Sequence, residues 1–117
     1  MNVERFLPLT PVVLEIALSL AAGERHGYEI MQDVERRTGG TIVLHPGTLY
    51  RALGRLLDQK LIEELDERPA TGGPGENDER RRYYRLTALG QAVARAEVER
   101  LTSQVSAARR LFRGGRA

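Results

Sequence analysis

Thr48, Tyr50, Arg51 and Arg55 fall within one short stretch, Leu44-His-Pro-Gly-Thr-Leu-Tyr-Arg-Ala-Leu-Gly-Arg-Leu-Leu57, and a cluster of arginines, Arg80, Arg81 and Arg82, follows further along the chain. An arginine on a helix can donate two parallel hydrogen bonds to guanine O6 and N7, while Thr and Tyr hydroxyls and backbone N–H groups hold phosphates and set the register. Thr48, Arg51 and Arg55 are three and four residues apart, so one helix would carry them on one face. Leu49, Leu53, Leu56 and Leu57 would occupy the other. Gly47 permits close approach of a phosphate at the helix N-terminus, where the helix dipole also favours an anion. The chemistry expected of these residues is recognition of duplex DNA, with Arg51 on a base. One or two of Arg80, Arg81 and Arg82 would reach a phosphate or a minor groove, beside Glu76, Asp78 and Glu79, which can pair with them on the surface.

Other chemistries find little support in the residue inventory. There is no Cys, which excludes disulfides, thiolate metal sites and cysteine catalysis, and the two His are too few for a metal centre. Both are expected in capping or turn roles. No Ser–His–Asp set, phosphate-binding Gly-rich loop or paired catalytic carboxylates can be assembled, and Glu63 and Glu64, adjacent on an expected strand, point apart. Neither enzymatic activity nor a cofactor is expected. Formal net charge is only +2, but of 18 cationic residues 17 are Arg, and Arg51, Arg55, Lys60, Arg80, Arg81, Arg82 and Arg85 lie in or within three residues of these two segments. A local positive face on a nearly neutral protein is the expected result. The longest apolar stretch, Val12 to Ala22, is broken by Glu15 and is far short of the roughly 20 residues that a bilayer span needs. With no signal-peptide pattern at the N-terminus, the expected compartment is the cytoplasm.

The elements that must position these residues can be read in order. Thr10-Pro11 starts a helix over about residues 11–22, with Thr as N-cap and Pro where its missing N–H costs nothing. His26-Gly27 opens a second helix that ends at Arg36-Arg37-Thr38 before two glycines. Thr41 to Leu44 is at most a minimal strand. The third helix starts near Pro46. Leu61 to Arg68 and Arg81 to Leu86 read as two strands of a hairpin joined by the Gly/Pro-rich loop from Pro69 to Asp78, with Tyr83 and Tyr84 on opposite faces. Thr87 caps a last long helix in which Ala94, Val98, Leu101, Val105, Ala108 and Phe112 recur at alternating spacings of four and three, a heptad seam. That seam is expected to meet a partner helix, although Ala94 and Val98 fit packing inside their own subunit equally well.

The expected fold is therefore mainly α with a small β-hairpin: a winged helix-turn-helix over residues 1–87, a dimerisation helix over 88–112 and a frayed tail over 113–117. Leu9-Thr-Pro11, His26-Gly-Tyr-Glu-Ile30, Pro46-Gly-Thr-Leu-Tyr-Arg-Ala-Leu53 and Arg81-Arg-Tyr-Tyr-Arg-Leu-Thr87 together resemble the PadR family of bacterial transcriptional regulators. The likeness runs from about Leu9 to Phe112, and the single C-terminal helix resembles the compact branch of the family. The resemblance implies a homodimer whose last helix crosses onto the partner's first helix and N-terminal segment. It also implies a palindromic operator, usually bound as a repressor, and a small hydrophobic or aromatic effector near the dimer interface. Trp is absent and aromatic residues make up 5% of the chain, so stacking on an effector would rest on residues such as Phe6 or Phe112. The alternatives are a winged-helix module that binds protein without DNA, since fold alone does not fix function, and another winged-helix regulator such as a MarR-like one.

Overall fold

The computed structural model describes residues 2–65 and 82–114. A short 3-10 turn, Glu4–Phe6, leads into α1 (Pro11–Ala21), β1 (Arg25–His26), α2 (Gly27–Arg37), α3 (Pro46–Asp58), β2 (Ile62–Leu65), β3 (Tyr83–Leu86) and α4 (Ala88–Gly114). This is a winged helix-turn-helix extended by one long helix. The expected wing tip, Pro69 to Asp78, and the arginines Arg80 and Arg81 lie outside the described residues.

Local chemistry sets most of the helix starts. The Thr10 side chain accepts the Val13 N–H ahead of Pro11, and the Thr87 hydroxyl accepts the Gly90 N–H. At α2 the His26 Nδ1 accepts the Glu29 N–H while the Glu29 carboxylate accepts the His26 N–H, a reciprocal cap that uses His in place of the usual Ser or Thr. His26 thus has its expected capping role. His45 stands at the N-cap position of α3, where its carbonyl accepts the Leu49 N–H, but its side chain makes no hydrogen bond to the helix.

The sheet differs from the expected hairpin by one strand. Its order is β1-β3-β2, both pairs antiparallel, with Arg25 opposite Tyr84 and His26 opposite Tyr83 on one side of β3, and Ile62 opposite Leu86 and Glu63 opposite Arg85 on the other. Thr41 to Leu44, expected as a minimal strand, forms none. The edge of β3 is taken by β1, and Leu44 is buried in the core by an irregular segment. Tyr83 and Tyr84 face opposite sides as alternation requires: Tyr84 is buried and Tyr83 is half-buried, edge-on to the His26 ring at 5.2 Å between centroids.

One core unites these elements, built from Ile16, Leu20, Ile30, Val34, Leu49, Leu53, Leu56, Leu61, Ile62, Leu86 and Val93. Polar fasteners hold its edge. Asp33 on α2 is buried and accepts from Arg37, which reaches across to Glu15 on α1 at 2.6 Å. Burial alone would raise the Asp33 pKa, but the Arg37 hydrogen bond and the charges of Arg37 and Arg25 hold it below its ordinary value.

Candidate nucleic-acid interface

The helix α3 divides as its sequence periodicity requires. Leu49, Ala52, Leu53 and Leu56 are buried, Leu57 is half-buried against the same core, and Arg51 and Arg55 are exposed with Thr48 half-exposed beside them. Among the described residues, no carboxylate lies within ion-pairing distance of Arg51 or Arg55. The arginines of the sheet differ. Arg85 is held by Glu63 at 2.8 Å and Glu24 at 3.6 Å, and Arg82 by Glu64 at 3.3 Å. The hydrogen bond and charge of Glu63 raise the Arg85 pKa further. Of the arginines in the segments that the sequence singles out, those on α3 keep their charge available to a ligand, while those described on the sheet are already paired.

The N-terminus of α3 adds to that face. Pro46 brings no N–H, His45 supplies no side-chain acceptor, and the N–H groups of Gly47 and Thr48 precede the first residues able to bond within the helix. By contrast α1, α2 and α4 each receive a side-chain cap. The Arg51 side chain turns back along α3, its guanidinium 3.5 Å from where a Cβ on Gly47 would stand. Backbone donors, a hydroxyl and a guanidinium thus converge on one helix end, an arrangement suited to an anionic oxygen.

Tyr50 sits at the margin of this face. Its ring packs on Gly27 so closely that a Cβ there would stand 3.0 Å from the Tyr50 Cζ and collide with the hydroxyl. The contact joins α3 to the first turn of α2 and explains a buried glycine at that helix start. Tyr50 nevertheless remains 41% exposed. Tyr28, on the same turn of α2, is 59% exposed.

A profile of the PadR-like family of transcriptional regulators matches residues 13–96, which span α1 through the first third of α4. The chain belongs to that family. Among its relatives is an uncharacterized protein from Lysinibacillus sphaericus, 33% identical over 84 residues, 72% of this chain and 69% of that protein. A transcriptional regulator from Clostridium thermocellum shares the fold at a TM-score of 0.62 with 30% identity, over 80% of this chain and 84% of that one. Bacillus subtilis PadR, solved in complex with operator DNA, superposes at a TM-score of 0.61 with 21% identity, over 78% of this chain and 48% of that one. At that identity the likeness speaks for the fold.

The last helix of this PadR-like chain changes character midway. Its buried residues are Gly90, Val93, Ala94 and Glu97, and none lies beyond Glu97. Ala94, at the head of the expected seam, is packed in its own subunit's core. Val98 is 43% and Val105 48% exposed, Leu101 and Ala108 are half-exposed, and Leu111 and Phe112 are 73% and 88% exposed. Val98 and Ala94 also border an open groove of about 200 Å³ between α1 and α4, with Leu18, Ala21, Leu86 and Arg95. The helix continues through Arg113 and Gly114, two residues further than the expected 112. No helix among the described residues is long and apolar enough to cross a membrane.

Glu97 is the polar residue that periodicity overlooked. Its carboxylate is 1% exposed, accepts the Leu9 N–H at 2.9 Å, and is held by Arg100 at 2.6 and 3.0 Å. The Arg100 hydrogen bond, opposed by burial and aided by the Leu9 N–H, keeps its pKa below the ordinary value. A charged residue flanked by seam positions gives a sequence reader no sign of burial.

Proposed function

We propose that this PadR-like regulator binds duplex DNA as a homodimer, placing α3 of each subunit in successive major grooves about one helical turn (~34 Å) apart on a palindromic operator, and acts as a repressor. The observation that carries this reading is the face of α3, where Thr48, Arg51 and Arg55 lie beside an uncapped N-terminus and no described carboxylate neutralises the arginines. The operator complex of Bacillus subtilis PadR supports it by analogy of fold. Arg51 reads a base, Thr48 and the α3 N-terminal N–H groups hold a phosphate, and Tyr50, Arg55 and the wing arginines Arg80, Arg81 and Arg82 fix the register. Arg82 must leave or share Glu64 to do so.

The dimer forms through the second half of α4. Leu101, Val105, Ala108 and Phe112 lie beyond the core of their own subunit, and with Val98 at its margin they form a stripe that is buried most readily by a second copy of the helix. A small hydrophobic effector fits the groove beside Leu18, Ala21 and Val98, where it would pack on aliphatic side chains rather than stack on an aromatic ring. Such a protein works in the compartment that holds its DNA, the cytoplasm.

Selection of bound sequences from random duplex DNA, with affinity measured at several salt concentrations, tests the reading. A palindromic motif with log K falling steeply against log salt is the expected result. Absence of enrichment at low salt would replace it with a winged-helix module that binds protein, a reading to which the acidic partners of Arg82 and Arg85 lend support.

A further inference from the structure

Besides the apolar packing of Val93 and Ala94 in the core, helix α4 is fastened to the helix-turn-helix by hydrogen bonds at two places, one on either side of that packing. Near its start, Gly90 lies against the Leu61 carbonyl, and Thr87 donates its N–H to that carbonyl at 3.0 Å and its hydroxyl to the Lys60 carbonyl at 2.7 Å. Two turns later Glu97 accepts the Leu9 N–H at 2.9 Å. Leu9 immediately precedes the Thr10 cap of α1, and α1 packs on α2, β3 and α4. A helix held at one point can pivot, whereas a second point seven residues along fixes its direction. We infer that Glu97 is a positioning residue, which through Leu9 sets the angle between α4 and the DNA-binding unit and so the spacing of the two α3 helices in the dimer.

This inference rests on the dimeric DNA-binding reading and deepens it. Beyond Glu97 the helix runs on to Gly114 for ~25 Å at 1.5 Å per residue with no further buried residue. A swing of about 10° at the latch would displace its far end by ~4 Å, more than the ~3.4 Å rise of one base pair. The carboxylate suits the task because both its oxygens are used: Arg100 donates to each, and Leu9 to one. Arg100, half-exposed, holds the carboxylate charged while Leu9 ties it to α1. If Glu97 served stability alone, neutral variants would lower the melting point and leave the geometry of the surviving dimer unchanged.

The chain contains no cysteine, so Gln59→Cys at the exposed end of α3 provides one spin-label site per protomer. Distances between the two labels would be measured by pulsed electron resonance in the full chain, alone and with Glu97→Ala or Glu97→Gln. The same proteins would be titrated with operators whose half-site spacer is lengthened or shortened by one base pair. The parent should give one narrow distance and prefer one spacer at least tenfold. Glu97→Ala should broaden the distance distribution and reduce the preference to within about threefold, and Glu97→Gln, which can still accept from Leu9, should fall between. A folded Glu97→Ala dimer that keeps the parent's distance and spacer preference would overturn the inference and leave the DNA-binding reading standing. If Glu97→Ala does not fold, Glu97→Gln decides alone: parental distance and preference overturn the inference, and intermediate values uphold it. A parent that yields no interlabel distance and binds no spaced palindrome would overturn both.

Discussion

Substituting Gly90 by alanine sets helix propensity against packing. On propensity alone the change stabilises, because glycine in a helix interior costs about 1 kcal/mol relative to alanine. In the folded chain the new Cβ would stand inside the van der Waals envelope of the Leu61 carbonyl oxygen, 2.9 Å from the carbonyl carbon and 3.1 Å from Leu86 Cδ2. The obstacle is backbone, which cannot rotate aside. Helix α4 must retreat from the junction of α3 and β2 by roughly 1.5 Å, since C···O contacts normally settle at about 3.3–3.6 Å. Retreat strains the hydrogen bonds from Thr87 to Leu61 and Lys60, worth about 1 kcal/mol each, and overpacking adds about 1–3 kcal/mol. After the propensity gain is subtracted, a net loss of about 2–4 kcal/mol remains. For a domain of this size that lowers the melting temperature by about 10–20 °C. Urea denaturation followed by circular dichroism measures it, with Gly54→Ala as the control: a Cβ at Gly54 meets nothing within 4 Å, so that variant should gain about 0.5–1 kcal/mol. A Gly90→Ala midpoint at or above the parent's, at unchanged slope, would refute the packing argument.

Three further outcomes follow from other parts of the molecule. Arg51→Ala should cost about 1–3 kcal/mol of operator affinity and relax selectivity at one position per half-site, read by binding to single-base operator variants; equal losses on operator and random DNA would make Arg51 a phosphate contact. Replacing Leu101 and Val105 together by Glu should yield monomers by sedimentation with weak DNA binding. Because neither residue is buried in its own subunit, the monomer's helical content should persist, and a variant that stayed dimeric would refute the seam. Acid should destabilise the fold through Glu97 and Asp33, whose folded pKa values lie below the ordinary 4.5 and 3.8. Between the unfolded and the depressed folded values the unfolded chain binds more protons, so stability is full above about pH 4.5 and declines as pH falls through the folded values. Glu97→Gln should flatten that decline in a series of denaturation midpoints against pH.

The sequence announced its helices through caps and periodicity because both are local. Thr10-Pro11, the reciprocal pair His26 and Glu29, and the leucines of α3 all act within one or two turns. The sheet was less legible. Two residues, Arg25 and His26, have too short a pattern to declare a strand, and they pair with β3 only because the chain fold brings them there. Thr41 to Leu44 has the β-branched composition of a strand, yet a strand needs a free neighbouring edge, and β1 occupies it. On the candidate interface, spacing alone places Thr48, Arg51 and Arg55 on one face. That Arg82 and Arg85 are met by Glu64, Glu63 and Glu24 depends on cross-strand register and could not be read from order along the chain.

The seam of α4 shows why periodicity alone cannot assign a partner. Ala94 and Phe112 both belong to the heptad seam, yet one is 5% and the other 88% exposed, because the core of the subunit ends at Glu97 while the apolar pattern does not. What lies beyond that point gains from burial only by association. In the proposed dimer, association also compensates for a modest charge, since a chain of net charge +2 cannot rely on bulk attraction to DNA. Once one α3 is seated, the second is held near its half-site at an effective concentration that can reach the millimolar range, which raises affinity without any new contact. That gain is lost if the two helices cannot reach their half-sites together. The rigidity of the join between α4 and the helix-turn-helix therefore matters to binding as directly as the side chains that touch DNA.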